Sequence, residues 1–183
     1  MESIYKKLMA TMTFASMLFV LCSCYFTKSF DEFIVENVTV ENENEYTSAQ
    51  ELAFARIEGV TFVPFVKAID DGPPTYGIFL SAYANEVPEN IVLKKYVVTV
   101  EDTVIFGKEE TQSFLLELNE NGIFQKTIQV GTFTEEEYLA TKHGFKFDLT
   151  FQVEVTKGGQ VFTKDIVFNI KVKGGGWNPV WPT

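Results

Sequence analysis

The chain has 183 residues, of which 46% are hydrophobic and 15% aromatic, so it can form a packed core and is not disordered as a whole. Its formal net charge of -10 argues against a nucleic-acid partner, because phosphate contacts need clustered Lys and Arg side chains. A single His excludes a His-rich metal site.

Residues 1–23 have the pattern of a secretory signal peptide. Lys6 and Lys7 precede an uncharged run, Leu8–Ser23, which is short for a membrane-spanning helix. The run ends in Leu21-Cys22-Ser23-Cys24, which resembles the lipobox of bacterial lipoproteins. This resemblance implies that the thiol of Cys24 is diacylated and that the chain is cut just before it. The residues leave two alternatives open, an uncleaved signal anchor and an ordinary secreted protein.

The lipobox reading has consequences for chemistry and location. Cleavage before Cys24 removes Cys22, so the mature chain has no free thiol and no disulfide, which excludes a zinc-cysteine site and a thiol nucleophile. Two or three acyl chains hold a protein stably on a bilayer, so we expect a membrane-anchored protein of the cell envelope. An Asp directly after the lipidated cysteine resembles the inner-membrane retention signal of enterobacterial lipoproteins. The two residues after Cys24 are Tyr25 and Phe26, which favours the outer membrane in a Gram-negative host.

Residues 24–47 are rich in Glu and Asn and contain one basic residue, Lys28. This composition predicts a lipidated, hydrated, acidic tether that lifts a domain off the membrane. Two apolar stretches, Phe33–Val35 and Val38–Val40, are suited to a first strand, so part of the segment is alternatively expected to join a sheet.

Residues 48–173 are predicted to form one β-sandwich domain. Residues 48–51 suggest a helix start before 52–57, although that stretch equally suits a strand. Turn signals at 70–74, 85–90 and 119–122 separate the predicted strands. These strands cover residues 60–69, 76–84, 91–106, 114–118 and 123–130. The third of them is long, which predicts either a bulge or two strands.

The last third of the chain has the clearest patterns. Thr134 and Glu137 form a capping box, which predicts a short helix near residues 134–143. Apolar and polar residues then alternate over 145–155 and again over 162–172, with Lys157-Gly158-Gly159 between them. This alternation predicts a long β-hairpin with one buried and one wet face.

The fold class predicted from these elements is all-β. Strands about ten residues apart, with Gly, Pro and Asn turns, indicate an antiparallel immunoglobulin-like or transthyretin-like β-sandwich of seven to nine strands.

The search for catalytic chemistry returns little. His143 is the one candidate base, and its place at a predicted helix end favours a structural role. Asp70-Asp71 and Glu135–Glu137 are interpreted as solvated carboxylates rather than an acid pair or a calcium site. Nucleotide, metalloprotease and hydrolase motifs are absent from the sequence. We therefore predict a protein that is not an enzyme and needs no cofactor or metal.

The segment 174–183 is the candidate binding tail. It holds both tryptophans, Trp177 and Trp181, among Gly and Pro residues. Exposed Trp rings are favoured at binding sites, whereas the alternative is that the tail folds back and buries them. The sequence thus predicts a lipid-anchored envelope module that contacts a protein partner through a sheet edge or this tail. The alternative is a surface lipoprotein that binds carbohydrate or a small ligand with exposed aromatic side chains.

Overall fold

The structure is a computed structural model that describes residues 27–69, 75–133 and 146–179, with the backbone alone described for 27–31, 110 and 174–179. The chain divides into two units, Asp31–Gly174 and a smaller one made of residues 1–30 and 175–183. The smaller unit contributes the first residues of one strand and the last residues of another.

The described residues form ten strands and two 3₁₀ helices. The strands are β1 (Thr27–Val35), β2 (Arg56–Ile57), β3 (Val60–Ala68), β4 (Tyr76–Ala84), β5 (Asn90–Val100), β6 (Thr103–Phe114), β7 (Glu117–Leu118), β8 (Phe124–Phe133), β9 (Lys146–Lys157) and β10 (Gln160–Pro179). The 3₁₀ helices are Glu43–Glu45 and Gln50–Ala55.

The strands make two five-stranded antiparallel sheets. Sheet A has the order β1-β10-β9-β5-β6 and sheet B the order β2-β3-β4-β8-β7. The predicted all-β sandwich is confirmed, and the eight strands of nine or more residues agree with the predicted number. The short helix predicted near 134–143 lies outside the described residues.

Consecutive strands pair as β-hairpins in both sheets, β5–β6 and β9–β10 in sheet A and β2–β3, β3–β4 and β7–β8 in sheet B. The hairpin of β9 and β10 was predicted, and it is confirmed with Phe151 opposite Ile166. The long strand predicted over 91–106 is two strands, β5 and β6, which are joined by a turn at Glu101-Asp102. The stretch 52–57 combines the end of a 3₁₀ helix with the short strand β2, so neither single alternative describes it fully.

The main core lies between the two sheets. On β9 the apolar members of the alternating pattern are all buried, whereas the polar residues between them face outward. The buried residues are Phe147, Leu149, Phe151, Val153 and Val155. They pack against the inward side chains of sheet B, which include Phe62, Ile78 and Leu80. Burial of side chains this large is a main source of stability for the sandwich.

A second, smaller core covers part of the outer face of sheet B. Val63 and Tyr83 point away from the main core and pack with Leu52 and Ile123. The chain from Val38 to Phe54 lies over this face. The segment predicted as a tether therefore joins the sandwich from Asp31 onward, because β1 forms an edge of sheet A and the following residues cover sheet B.

Candidate functional site

The two outer faces of the sandwich differ in chemistry. On sheet A many outward side chains are polar and pair with one another, and single apolar side chains such as Val161 and Val167 are exposed among them. Asp148 accepts a hydrogen bond from Asn169 at 2.7 Å, Asp165 accepts one from Gln152 at 2.9 Å, and Lys94 lies 3.7 Å from Glu154. Self-paired polar side chains of this kind form an ordinary solvated surface.

Sheet B has an apolar cleft on its outer face. This outer-face cleft has a volume of about 580 Å³, within the range of ligand-binding pockets. Its lining consists of Phe33, Ile34, Val35, Val38, Val40, Glu43, Tyr46, Val63, Pro64, Phe65, Ser81, Tyr83 and Thr127. The lining comes from strands β1, β3, β4 and β8 and from the segment that covers sheet B. It is mainly apolar and aromatic, with a few polar groups.

One end of the cleft combines two tyrosines with a carboxylate. The rings of Tyr46 and Tyr83 meet edge to face with centroids 4.9 Å apart. The Tyr83 hydroxyl donates to Glu43 Oε1 at 3.4 Å. Burial raises the pKa of Tyr83 to about 12, the Glu43 charge adds to this effect, and a hydrogen bond with Ser81 opposes it. Burial, and then the Glu43 charge, also raise the pKa of Tyr46. Both phenols therefore remain neutral donors near neutral pH.

At the other end the lining residue Phe65 stacks on Phe79, and Lys67 lies over this pair just outside the lining. Phe65 and Phe79 are nearly parallel, at 5°, with ring centroids 4.8 Å apart. The ammonium of Lys67 lies 4.9 Å from the Phe79 ring centre and 5.7 Å from that of Phe65, which is a cation–π arrangement. A side chain at Gly77 would meet the Phe79 ring at 2.6 Å, so glycine there leaves room for the ring.

A pair of hydroxyls lies between the two ends. Ser81 sits between Phe79 and Tyr83 on the same face of β4, because side chains alternate along a strand. Its Oγ is 2.7 Å from Thr127 Oγ1 on the neighbouring strand β8. These hydroxyls add polar contacts to the floor of the cleft.

The charge around the cleft is unevenly distributed. Glu41, Glu43 and Glu45 are exposed near the tyrosine end, and within the described residues none of them forms an ion pair. Arg56, the only arginine in the sequence, is directed elsewhere. It donates to the carbonyl oxygens of Tyr46 and Ala49 at 3.0 and 2.9 Å, and to Thr61 Oγ1 at 2.9 Å. The tyrosine end is thus electronegative, whereas Lys67 makes the opposite end positive.

The residues selected from the sequence are largely outside the described part of the chain. Cys24, His143, Trp181 and both carboxylate groups, Asp70-Asp71 and Glu135–Glu137, fall there. The backbone of Trp177 belongs to β10, and its side chain is not described. The outer-face cleft is built from other residues, which the sequence analysis assigned to strands or to the tether.

One signal in the sequence could have indicated the cleft. Strands with one wet face alternate between apolar and polar residues, whereas β3 and β4 are apolar at nearly every position. Apolar residues at nearly every position indicate a strand that packs against other parts of the protein on both of its faces. In β3 the residues on the second face include Val63 and Phe65, which line the cleft.

Comparisons with known proteins add little to this picture. No protein-family model matches the sequence, and no curated protein matches it. A crystal structure of a protein from Archaeoglobus fulgidus is similar over 67% of this chain and 98% of its own, with 10% identity and a TM-score of 0.39.

No helix in the described ranges has the length and apolar character needed to cross a membrane. In the same ranges, no three His, Cys, Asp or Glu side chains gather closely enough to hold a metal ion.

Proposed function

We propose that the protein is a lipid-anchored binding module of the cell envelope that contacts a protein partner through the outer-face cleft. The observation that carries this proposal is the contrast between the two sheets. Sheet A presents paired polar side chains with single exposed valines among them, whereas sheet B presents a cleft whose aromatic and apolar side chains lie together. Exposed apolar surface of this kind is typical of interaction sites.

The proposed anchor fits the short distance between Cys24 and the sandwich. Asp31, the first residue of the larger unit, follows Cys24 by seven residues. Even a fully extended chain of this length spans at most about 25 Å. A lipid on Cys24 would therefore hold the sandwich near the bilayer, where an envelope partner is within reach. For a Gram-negative host we propose the outer membrane.

Binding rather than catalysis is proposed from the available side chains. The sequence has one His and lacks the common catalytic motifs. The titratable groups of the cleft are Glu43 and two phenols, and the pKa of both phenols is raised. A phenol with a raised pKa is a poor general base near neutral pH.

The anchor is tested by replacing its cysteine. In the native host, Cys24→Ser should leave the precursor uncut or release the protein from the membrane fraction. Cys22→Ser serves as the matched control, because Cys22 lies in the segment that is removed. Processing and membrane retention of Cys24→Ser equal to those of wild type would contradict the anchor.

The binding surface is tested by crosslinking in native membranes followed by affinity purification. Phe65→Ala should reduce recovery of a crosslinked partner, because Phe65 lines the cleft. Val167→Ala is the control, since Val167 is an apolar residue on the outer face of sheet A with 42% exposure. Equal recovery with both variants would remove the cleft as the contact surface.

A second function is favoured by one observation, the stacked Phe65 and Phe79 rings beside the Ser81 and Thr127 hydroxyls. Aromatic faces with nearby hydroxyls and a carboxylate suit the binding of a carbohydrate. A glycan array distinguishes the two functions. A glycan signal that is lost in Phe79→Ala would support carbohydrate binding, whereas an array without signal would leave the protein partner as the proposal.

A further inference from the structure

We infer that the outer-face cleft accommodates an extended protein segment carrying a Lys or Arg side chain beside apolar ones, with the cation bound at Glu43. This inference rests on the proposed function, because it specifies the chemistry of the partner at the same surface. Three observations carry it: the free carboxylate at the tyrosine end, the apolar walls beside it, and the length of the cleft floor.

The first observation is the carboxylate of Glu43. A carboxylate has two oxygens and about four acceptor positions. One of these accepts the Tyr83 hydroxyl at 3.4 Å, which is a long contact, and no ion pair to Glu43 occurs within the described residues. Most of its acceptor capacity is therefore free. Glu41 and Glu45 are exposed beside it and add to the negative potential.

The aromatic rings at this end strengthen the preference for a cation. Tyr46 and Tyr83 contact each other edge to face next to the carboxylate. Aromatic faces attract ammonium and guanidinium groups through their quadrupole. A carboxylate with neighbouring tyrosines favours a cation that also carries an aliphatic stem.

The second observation is the apolar lining beside Glu43. Val38 and Val40 of the covering segment and Val63 and Phe65 of β3 all line the cleft. Apolar side chains of an extended segment would bury their surface against these residues. The lining therefore selects apolar neighbours for the cation rather than a uniformly charged chain.

The third observation is the length of the floor and the charge at its far end. Among the lining residues, Tyr83 lies opposite Thr61, and Phe65 follows four residues later on β3. This separation corresponds to about 13 Å, the length of roughly four residues of extended chain. Lys67 repels a second cation at the far end. The occupant is thus polarised, with its Lys or Arg at Glu43 and neutral or acidic groups near Lys67.

Pro64 argues against simple extension of sheet B by the same segment. Within the described residues β2 pairs only with Val60 and Thr61, so the rest of β3 has an unpaired edge there. Pro64 has no N–H group to offer on that edge, and proline interrupts a ladder of strand hydrogen bonds. Recognition by side chains in the cleft is therefore the mode that this geometry favours.

The test is an array of immobilised hexapeptides of random sequence, probed with the full-length chain in detergent. We expect bound peptides to be enriched in Lys or Arg next to apolar residues. Glu43→Gln should lower the affinity for these peptides by about tenfold, because it removes the charge and keeps an acceptor for Tyr83. Glu58→Gln makes the same change of charge at an exposed turn and should leave binding unchanged.

The outcomes separate this inference from the proposed function. Bound peptides that are apolar without Lys or Arg, or that bind Glu43→Gln equally well, would overturn the inference while Phe65-dependent binding would still support the proposed function. Binding that depends on neither Glu43 nor Phe65 would overturn both. An array on which no peptide binds would also overturn the inference.

Discussion

At the scale of single residues, Tyr83 shows how burial and charge act together on one group. It is 6% exposed, and its hydroxyl lies beside the Glu43 carboxylate. Both burial and this charge disfavour the phenolate, so the pKa rises from 10.0 to about 12. The native chain then holds the phenolic proton more tightly than the unfolded chain does. The resulting stabilisation is complete below pH 10 and is lost as the pH rises towards 12.

We predict that Tyr83→Phe removes this part of the alkaline loss of stability. The ring contact with Tyr46 remains in the variant, while the titrating hydroxyl is absent. Urea unfolding followed as a function of pH should show a shallower decrease above pH 10 for the variant than for wild type. Ultraviolet titration of the variant should lack one phenol that in wild type ionises at a higher pH than an ordinary tyrosine. Identical pH profiles of the two proteins would refute the assigned environment of Tyr83.

A second residue-scale constraint lies between the sheets. Tyr96 on β5 reaches across the core to Gly131 on β8, where an added Cβ would lie within 2.5 Å of Tyr96 Cζ. We predict that Gly131→Ala destabilises the protein by about 1–3 kcal/mol through overpacking. Chemical denaturation measures this change. The cost should be smaller in a Tyr96→Leu background, and an equal cost in both backgrounds would show that the two residues do not interact.

At the scale of elements, three hairpins turn through two residues that both have positive φ. These turns are Glu58-Gly59 (49° and 84°), Glu101-Asp102 (47° and 63°) and Gly158-Gly159 (59° and 71°). Positive φ at both positions defines the turn type whose twist matches paired strands. Gly-Gly is a recognisable signal for it in sequence, whereas Glu-Asp is not. This explains why the turn between β9 and β10 was predicted directly and the one between β5 and β6 remained an alternative to a bulge.

The turn at Glu101-Asp102 offers a stabilising substitution. Asp102 has a φ of 63°, a region that glycine occupies without a steric penalty. Asp102→Gly should therefore raise the free energy of unfolding by up to about 1 kcal/mol, measured by denaturation. Asp165→Gly, in the middle of β10, should instead destabilise the protein because glycine weakens a strand. Loss of stability in Asp102→Gly would contradict the turn.

Arg56 connects the segment 38–54, which covers part of the outer face of sheet B, to the sheet through hydrogen bonds. Its guanidinium donates to Tyr46, Ala49 and Thr61, which lie on both sides of the interface between cover and sheet. We predict that Arg56→Met costs about 2 kcal/mol, because part-buried carbonyl groups lose charge-assisted hydrogen bonds. Arg56→Lys should recover only part of this, since an ammonium lacks the forked geometry. Hydrogen exchange should be faster in residues 46–55 of Arg56→Met, and unchanged exchange there would argue against this role.

The alternation of inward and outward side chains along each strand explains how much of its burial and pairing could be predicted from the sequence. On β9 one alternation runs unbroken, so its buried face and its pairing with β10 follow from the residues alone. On β5 the buried positions change from Ile91 and Leu93 to Tyr96 and Val98. The register shift against β9 causes this change, because Leu93 lies opposite Val153 and Lys95 opposite Gln152, which leaves Lys94 as one extra residue on β5. Two adjacent lysines at 94–95 give no sign of which one is displaced, so the bulge was not predicted there.

At the scale of the whole molecule, the candidate site depends on contacts between distant parts of the chain. The cleft arises because residues 38–46 cover part of sheet B and leave the region of Phe65 and Phe79 open. Local patterns identify strands and turns, but they do not show which outer face a connecting segment will cover. The acidic composition of residues 31–47 indicates a hydrated tether and not a segment packed on a sheet. The reason is that the exposed Glu and Asn residues of this segment outnumber its apolar residues that pack.

The proposed anchor and the proposed binding cleft together describe a binding protein held at a membrane. The measurement that tests this most directly is mass spectrometry of the N-terminal peptide of the protein purified from its native host. We predict a chain that begins at Cys24 and carries a diacylglycerol on that sulfur. A chain that begins elsewhere and has an unmodified thiol at Cys24 would contradict it.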